Sequence, residues 1–116
     1  MIRNRVWSDF NRASFDSAAL FAAKQVEVHV RNAAKFGNGQ DGVDLMRAAF
    51  NLKNGPLTDR AALPAEGETR SALFAGYTGI YKNPLSHRDV ALDDPSEVIE
   101  LFVMAGRLLR LVDGRI

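Results

Sequence analysis

Asp94-Pro95-Ser96-Glu97-Val98-Ile99-Glu100-Leu101-Phe102-Val103-Met104-Ala105 opens the most readable segment of this 116-residue chain. Asp94 suits a helix N-cap, Pro95 the first helical position, and Glu97 the carboxylate of a capping box. Val98, Leu101, Phe102, Ala105, Leu108, Leu109 and Val112 then recur at helical spacing on one face. Ile99, Val103, Met104 and Leu111 widen that stripe, and Asp113-Gly114 closes it. A helix apolar on more than one side is expected to be buried on more than one side, as a central helix or at a subunit interface.

Upstream of it, helical periodicity returns three times. From Phe15 to Phe36, Ala19, Ala22, Ala23, Val26, Val30, Ala33 and Ala34 form one apolar face, with Lys24, Gln25 and Asn32 outside it. Alanine is the best helix former, so propensity agrees with pattern. Glu27 and Arg31, four apart, are expected to pair on the surface. Gly37-Asn38-Gly39 is expected to end this helix with a left-handed cap. Asp41 suits the cap of a second, shorter helix, with Asp44 in its first turn and Val43, Met46, Ala49 and Phe50 on its inner face. Asn54-Gly55-Pro56 marks a turn, and residues 57–65 read as loop. Leu73, Phe74, Tyr77, Ile80 and Tyr81 mark a third helix from about Glu66. Gly76 and Gly79 weaken it and suggest close packing against another backbone. Asn83-Pro84 stops it, because a residue before proline is pushed out of the helical region. Near the N-terminus, Val6, Trp7 and Phe10 suggest a short helix, followed by a turn at Asn11 to Ser14.

No strand pattern of useful length, internal repeat or low-complexity segment is present. The reading is one all-α domain over residues 1–116, four main helices plus a short N-terminal one. The size suffices for a single core. There is no cysteine, hence no disulfide, thiolate zinc site or cysteine nucleophile, which fits a reducing, cytoplasmic setting. No apolar run is long enough for a transmembrane helix, so no membrane role is expected. Residues 1–12 lack the apolar stretch of a secretory signal. The net charge of +1, from 15 basic and 14 acidic residues, does not announce nucleic-acid binding, so such a role needs a local basic patch.

The chemistry concentrates between Gly79 and Arg88. Lys82, Asn83, His87 and Arg88 fall within seven residues. An imidazole can take and return a proton near neutral pH, and a fixed cation beside it can stabilise a phosphate transition state. Attack by a ribose 2′-hydroxyl on its own phosphate needs little more, and no metal. His29, off the alanine stripe, reads as a surface or packing histidine. No H-E-x-x-H, EF-hand, phosphate-loop or dinucleotide pattern occurs, so neither metal nor cofactor is expected. Ser86, His87 and Asp89 are too close in sequence to adopt triad geometry.

The run Gly42-Val43-Asp44-Leu45-Met46-Arg47-Ala48-Ala49-Phe50-Asn51, followed by Lys53-Asn54-Gly55-Pro56-Leu57-Thr58-Asp59, resembles the signature of the uncharacterised Ymh family of bacterial, archaeal and mobile-element proteins. Leu73-Phe74-Ala75-Gly76, Lys82-Asn83-Pro84 and His87-Arg88 extend the resemblance, as do Glu27, Val30 and Arg31 and the run Leu108 to Leu111. That family is similar to HEPN domains, which implies an up-and-down four-helix bundle, here with a short extra N-terminal helix. Many HEPN proteins are metal-independent endoribonucleases of toxin–antitoxin and phage-defence systems that act as homodimers. Their motif is an arginine, usually a polar residue, and a histidine. The resemblance places Lys82, Asn83 and His87 at those positions, with Lys82 standing where the motif has arginine. Lysine keeps the charge without the planar fork. The implied roles are His87 as general acid/base, Lys82 as phosphate clamp, Asn83 as positioning group and Arg88 as a second nucleic-acid-binding cation. The implied partners are RNA, a second copy of the chain and an antitoxin or other protein. A non-catalytic module binding nucleotide, nucleic acid or protein, and an interaction domain belonging to a longer protein, are the other expectations.

Overall fold

The computed structural model describes the backbone of residues 2–82 and 95–116, and the side chains of residues 18–82 and 96–116. Among these the chain is helical, with no strand. Four α-helices follow in order: α1 (Ile2–Ala34), α2 (Gly42–Ala49), α3 (Pro64–Tyr77) and α4 (Pro95–Asp113). A π-helical turn, Thr78–Lys82, continues α3. The expected helix start at Asp94 lies outside the described residues.

α1 corrects the reading of the N-terminus. It is one helix of 33 residues, with neither a turn at Asn11–Ser14 nor a separate short helix before it. The physical reason is the absence of a breaker. Asn11 and Ser14 are only a few tenths of a kcal/mol poorer than average formers, and no glycine or proline lies between Ile2 and Ala34. The far end of α1 also differs from expectation. Lys35, not a glycine, takes the left-handed conformation, with φ 60°. The Phe36 N–H donates to Arg31 O (3.1 Å) and the Lys35 N–H to Asn32 O (3.1 Å), the two bonds of a Schellman motif. Phe36 packs against the core, so an apolar contact accompanies the motif.

α3 starts earlier than its periodicity suggests. Pro64 occupies its first turn after an extended Leu63, so the loop read over 57–65 ends at Leu63. Of its apolar residues, Phe74 and Tyr77 are buried, whereas Leu73 and Ile80 face outward. The close backbone packing inferred for the two glycines is found at neither: an added Cβ at Gly79 would make an ordinary 3.4 Å contact with the Val43 side chain, and Gly76 has open space.

The core is built where the stripes meet. Val26 and Val30 of α1, Leu45 and Met46 of α2, Phe74 of α3, and Leu108 and Val112 of α4 are essentially inaccessible. Phe50 stacks on Phe74 with ring centroids 4.3 Å apart. At the other end Ala19, Val98 and Leu101 form a smaller cluster, with Tyr81 packed against it.

These pairings give the helix directions. Ala19 meets Val98 and Leu101, while His29 Nε2 lies 2.6 Å from Asp113 Oδ1, so α1 and α4 run parallel. Leu73 shares a cleft with Leu111 and Tyr81 packs near Val98, so α3 runs against α4. Val43 sits by Gly79 and Phe50 by Phe74, so α2 runs against α3. Strict up-and-down alternation would set the first and fourth helices antiparallel. The short α2 breaks that alternation.

The loop between α2 and α3 is a shaped turn. Asn51 Oδ1 accepts the N–H of Lys53 (2.8 Å), and Asn51 O accepts both the Gly55 N–H (2.8 Å) and the Thr58 hydroxyl (2.7 Å). The Arg60 guanidinium donates to Leu52 O and to Gly55 O, and Arg115 Nε donates to Leu57 O (3.2 Å). A Cβ on Gly55 would fall 2.4 Å from Asn51 N, a backbone atom that cannot yield.

Two outcomes are expected in urea unfolding. Lys35→Gly raises stability by about 1 kcal/mol, because a left-handed non-glycine residue is relieved. Gly55→Ala lowers it by about 1–3 kcal/mol, since the turn must reorganise.

Candidate functional site

Glu27 is the polar centre of the fold. In sequence it sits beside the alanine stripe, one turn after Ala23 and one before Val30. Its side chain is therefore carried to the edge of the core, and the residue is only 6% exposed. The surface pair expected with Arg31 is thus a part-buried one: Arg31 Nη2 donates to Glu27 Oε1 (2.9 Å) and also to Gln40 O (3.1 Å). The Gly42 N–H donates to the same Glu27 oxygen (3.2 Å). Lys82 Nζ lies 3.1 Å from Glu27 Oε2.

This explains a gap in the start of α2. Asp41 holds the N-cap position as read, yet its side chain makes no capping bond. The cap comes from α1 instead. Gly42 adopts φ 57°, a conformation that side chains rarely take, and this turns its N–H toward the Glu27 carboxylate. An anion at a helix start also meets the positive end of the helix dipole.

Burial pushes the Glu27 carboxyl up. The Gly42 N–H, the Lys82 ammonium and the Arg31 guanidinium outweigh that and hold it below its ordinary value. Two cations face one carboxylate, so the cluster keeps a net positive charge. The Arg31 Nε is buried and has no hydrogen-bond partner.

The π turn delivers Lys82 to this cluster. A π turn adds a residue to the helical circuit, and such turns are frequent at functional sites. Here it places Tyr81 against the Ala19–Val98–Leu101 cluster and Lys82 on Glu27, while Ile80 faces outward. Tyr77 and Tyr81 stack at an angle, centroids 5.7 Å apart.

Of the residues expected to carry chemistry, the structure therefore places Lys82, and places it on Glu27. Asn83, His87 and Arg88 lie outside the described residues, as do Ser86 and Asp89. His29 pairs with Asp113 at the α1–α4 contact, in keeping with a packing histidine. Sequence spacing missed Glu27 as the partner of Lys82. The available signal was a carboxylate at the margin of an otherwise apolar stripe.

Residues 1–112 match the family model Hypoth_Ymh, described as "Protein of unknown function (Hypoth_ymh)". The chain belongs to the Hypoth_Ymh family. No curated protein and no solved structure matches it. In this Hypoth_Ymh chain, the matched region takes in α1, α2, α3, the π turn and nearly all of α4, and so contains the whole Glu27 cluster. Among the described residues no group of histidine and carboxylate side chains could hold a metal ion, and no helix is long and apolar enough to cross a membrane.

Removing the Glu27 carboxylate leaves two cations facing each other at the core edge. Glu27→Ala is expected to cost about 3 kcal/mol or more in chemical denaturation. Because the folded carboxyl titrates below the unfolded one, its stabilisation is fully present above the unfolded value of about 4.3 and is lost as pH falls through the lower folded value. Thermal midpoints of the wild type should therefore drop more steeply below about pH 4.3 than those of Glu27→Gln.

Proposed function

We propose that the chain is a HEPN-like, metal-independent endoribonuclease of a toxin or phage-defence system, with its reactive groups on the segment that begins at Lys82. The observation that carries this reading is the buried Glu27–Lys82 pair. Buried ion pairs contribute little net stability compared with a well-packed apolar pair, and their best-attested use is to fix position. Here the fixed position is the first residue of Lys82-Asn83-Pro84-Leu85-Ser86-His87. Glu27 holds the root of that segment, and the net positive charge of Glu27, Arg31 and Lys82 favours a phosphodiester near it.

In this reading His87 takes the 2′-hydroxyl proton of a ribose and returns a proton to the leaving 5′-oxygen. Lys82 contributes charge at the phosphate, Asn83 positions it, and Arg88 adds a second cation. Lys82 acts as a point charge in place of a bidentate fork. The working unit is a homodimer. The outer flank of α4 supports this, since Ile99, Phe102 and Val103 are 60%, 44% and 68% exposed on adjacent turns of one helix. A contiguous apolar flank of this kind marks an interaction surface.

One observation favours a second reading, a non-catalytic HEPN-like module that binds RNA or a protein such as an antitoxin. The Lys82 ammonium is already paired with Glu27, which leaves it less free to clamp a phosphate.

Incubation of the protein with single-stranded RNA in the presence of a chelator separates the two readings. Cleavage by the wild type that falls at least about a hundredfold in His87→Ala supports the nuclease. Binding without cleavage supports the module, and full activity in His87→Ala removes His87 from the mechanism. In sedimentation, Val103→Asp is expected to shift a wild-type dimer to monomer.

A further inference from the structure

A second polar cluster lies at the opposite end of α3 from Lys82. An open cleft of about 390 Å³ runs between α3 and α4, walled by Ala65, Leu73 and Leu111 and edged by Glu66, Thr69 and Arg70. A smaller recess of about 60 Å³ lies beside it, reaching Thr58 and Asp59 and sharing Glu66 and Arg70. The cleft is wide open to solvent, so a ligand in it would keep one side exposed.

Glu66 and Arg70 are one turn apart on α3, and both line both spaces. Among the described residues neither side chain has a hydrogen-bond or ion-pair partner. The other guanidiniums near the loop are occupied: Arg60 by Leu52 O and Gly55 O, and Arg115 by Leu57 O and Thr58 O. Arg70 is half-buried and Glu66 exposed. The Thr69 hydroxyl is spent on Ala65 O. A carboxylate and a guanidinium, side by side above an apolar wall, call for a flat partner. Its edge must carry two adjacent N–H donors for the carboxylate and acceptors for the guanidinium.

We infer that this cleft is a base-binding subsite that reads guanine in single-stranded RNA. Guanine carries adjacent N1–H and N2–H donors, which a carboxylate can accept together. Its O6 and N7 acceptors match an arginine fork. Adenine, cytosine and uracil lack two adjacent donor groups on that edge. The aliphatic wall of Leu73, Leu111 and Ala65 supplies a surface for the base face, and single-stranded RNA can splay a base into such a cleft. The recess beside Asp59 has room for an exocyclic amino group or a water. The subsite rests on the proposal that the chain handles RNA. Arg70 and Lys82 are twelve residues apart on the same helical run, about 18 Å along it, so the base read lies a few nucleotides from the bond cut.

The test separates base recognition from cleavage. Guanosine, inosine, adenosine, cytidine and uridine are titrated into the full chain, and the NMR signals of Leu73, Leu111 and Thr69 are followed. Inosine lacks only the N2 amino group. The expected result is binding of guanosine about tenfold or more tighter than the other nucleosides, inosine included. Glu66→Gln and Arg70→Met should each abolish that preference while the NMR spectrum of the unliganded protein keeps its folded pattern. Equal binding of all nucleosides, no binding, or a preference that survives both substitutions overturns the inference. RNA cleavage that depends on His87 but ignores guanine overturns the subsite and leaves the nuclease reading in place. Selective guanosine binding without cleavage keeps the subsite and sinks the nuclease reading.

Discussion

One buried carboxylate organises this small domain. Glu27 receives the start of α2 through the Gly42 N–H, holds Arg31 and through it the 36–41 connection, and anchors Lys82 at the end of the π turn. Two separate pieces of chain, the start of α2 and the end of the π turn, are thereby fixed to α1 by one side chain. The arrangement is stable because each element of it answers a cost created by another. Burial alone would raise the Glu27 pKa and neutralise the group, and two cations and an amide hold it ionised instead. The amide would be an unsatisfied helix-terminal donor without the carboxylate. The cations would repel one another without it. Apolar packing of Val26, Leu45, Phe74 and Leu108 supplies the bulk of the stability, and the carboxylate sets how the helices are joined.

Elements whose signals are local were legible in the sequence. Of the stripe on α4, Val98, Leu101, Ala105, Leu108 and Val112 are buried as its spacing implies. Phe102 and the widening residues Ile99, Val103 and Met104 are exposed instead, so the described fold buries one side of the helix. The alanine face of α1, the position of α2 and the turn at Asn54-Gly55-Pro56 likewise follow from short-range rules. The failures share a cause. Asn11 and Ser14 have turn propensity, but the gap between them and good helix formers is too small to break a helix without glycine or proline. Gly37 and Gly39 looked like the end of α1, whereas Lys35 accepts the left-handed conformation because Phe36 gains the core. Long-range geometry overrode a weak local preference in each case.

The candidate site was half legible. Lys82 stood out through the concentration of polar residues around it and the resemblance to the Ymh family, and the structure adds its ion pair with Glu27. The role of Glu27 did not stand out, because a Glu and an Arg four apart in a helix have the spacing of an ordinary surface pair. Nothing in local spacing reveals that the carboxylate's second oxygen is taken by a lysine two helices later. Helix direction was hidden for the same reason: parallel α1 and α4 follow from contacts between residues far apart in the chain.

That parallel pairing has a consequence for how the protein comes into being. α1 finds its main partner in α4, with α2 and α3 docked between. Helical domains usually fold fast because their contacts are short-range. Here the largest seam joins helices separated by α2 and α3, and Arg115, just past α4, grips the backbone of Leu57 and Thr58. The 33-residue α1 therefore stays without its lengthwise partner until α4 has been made.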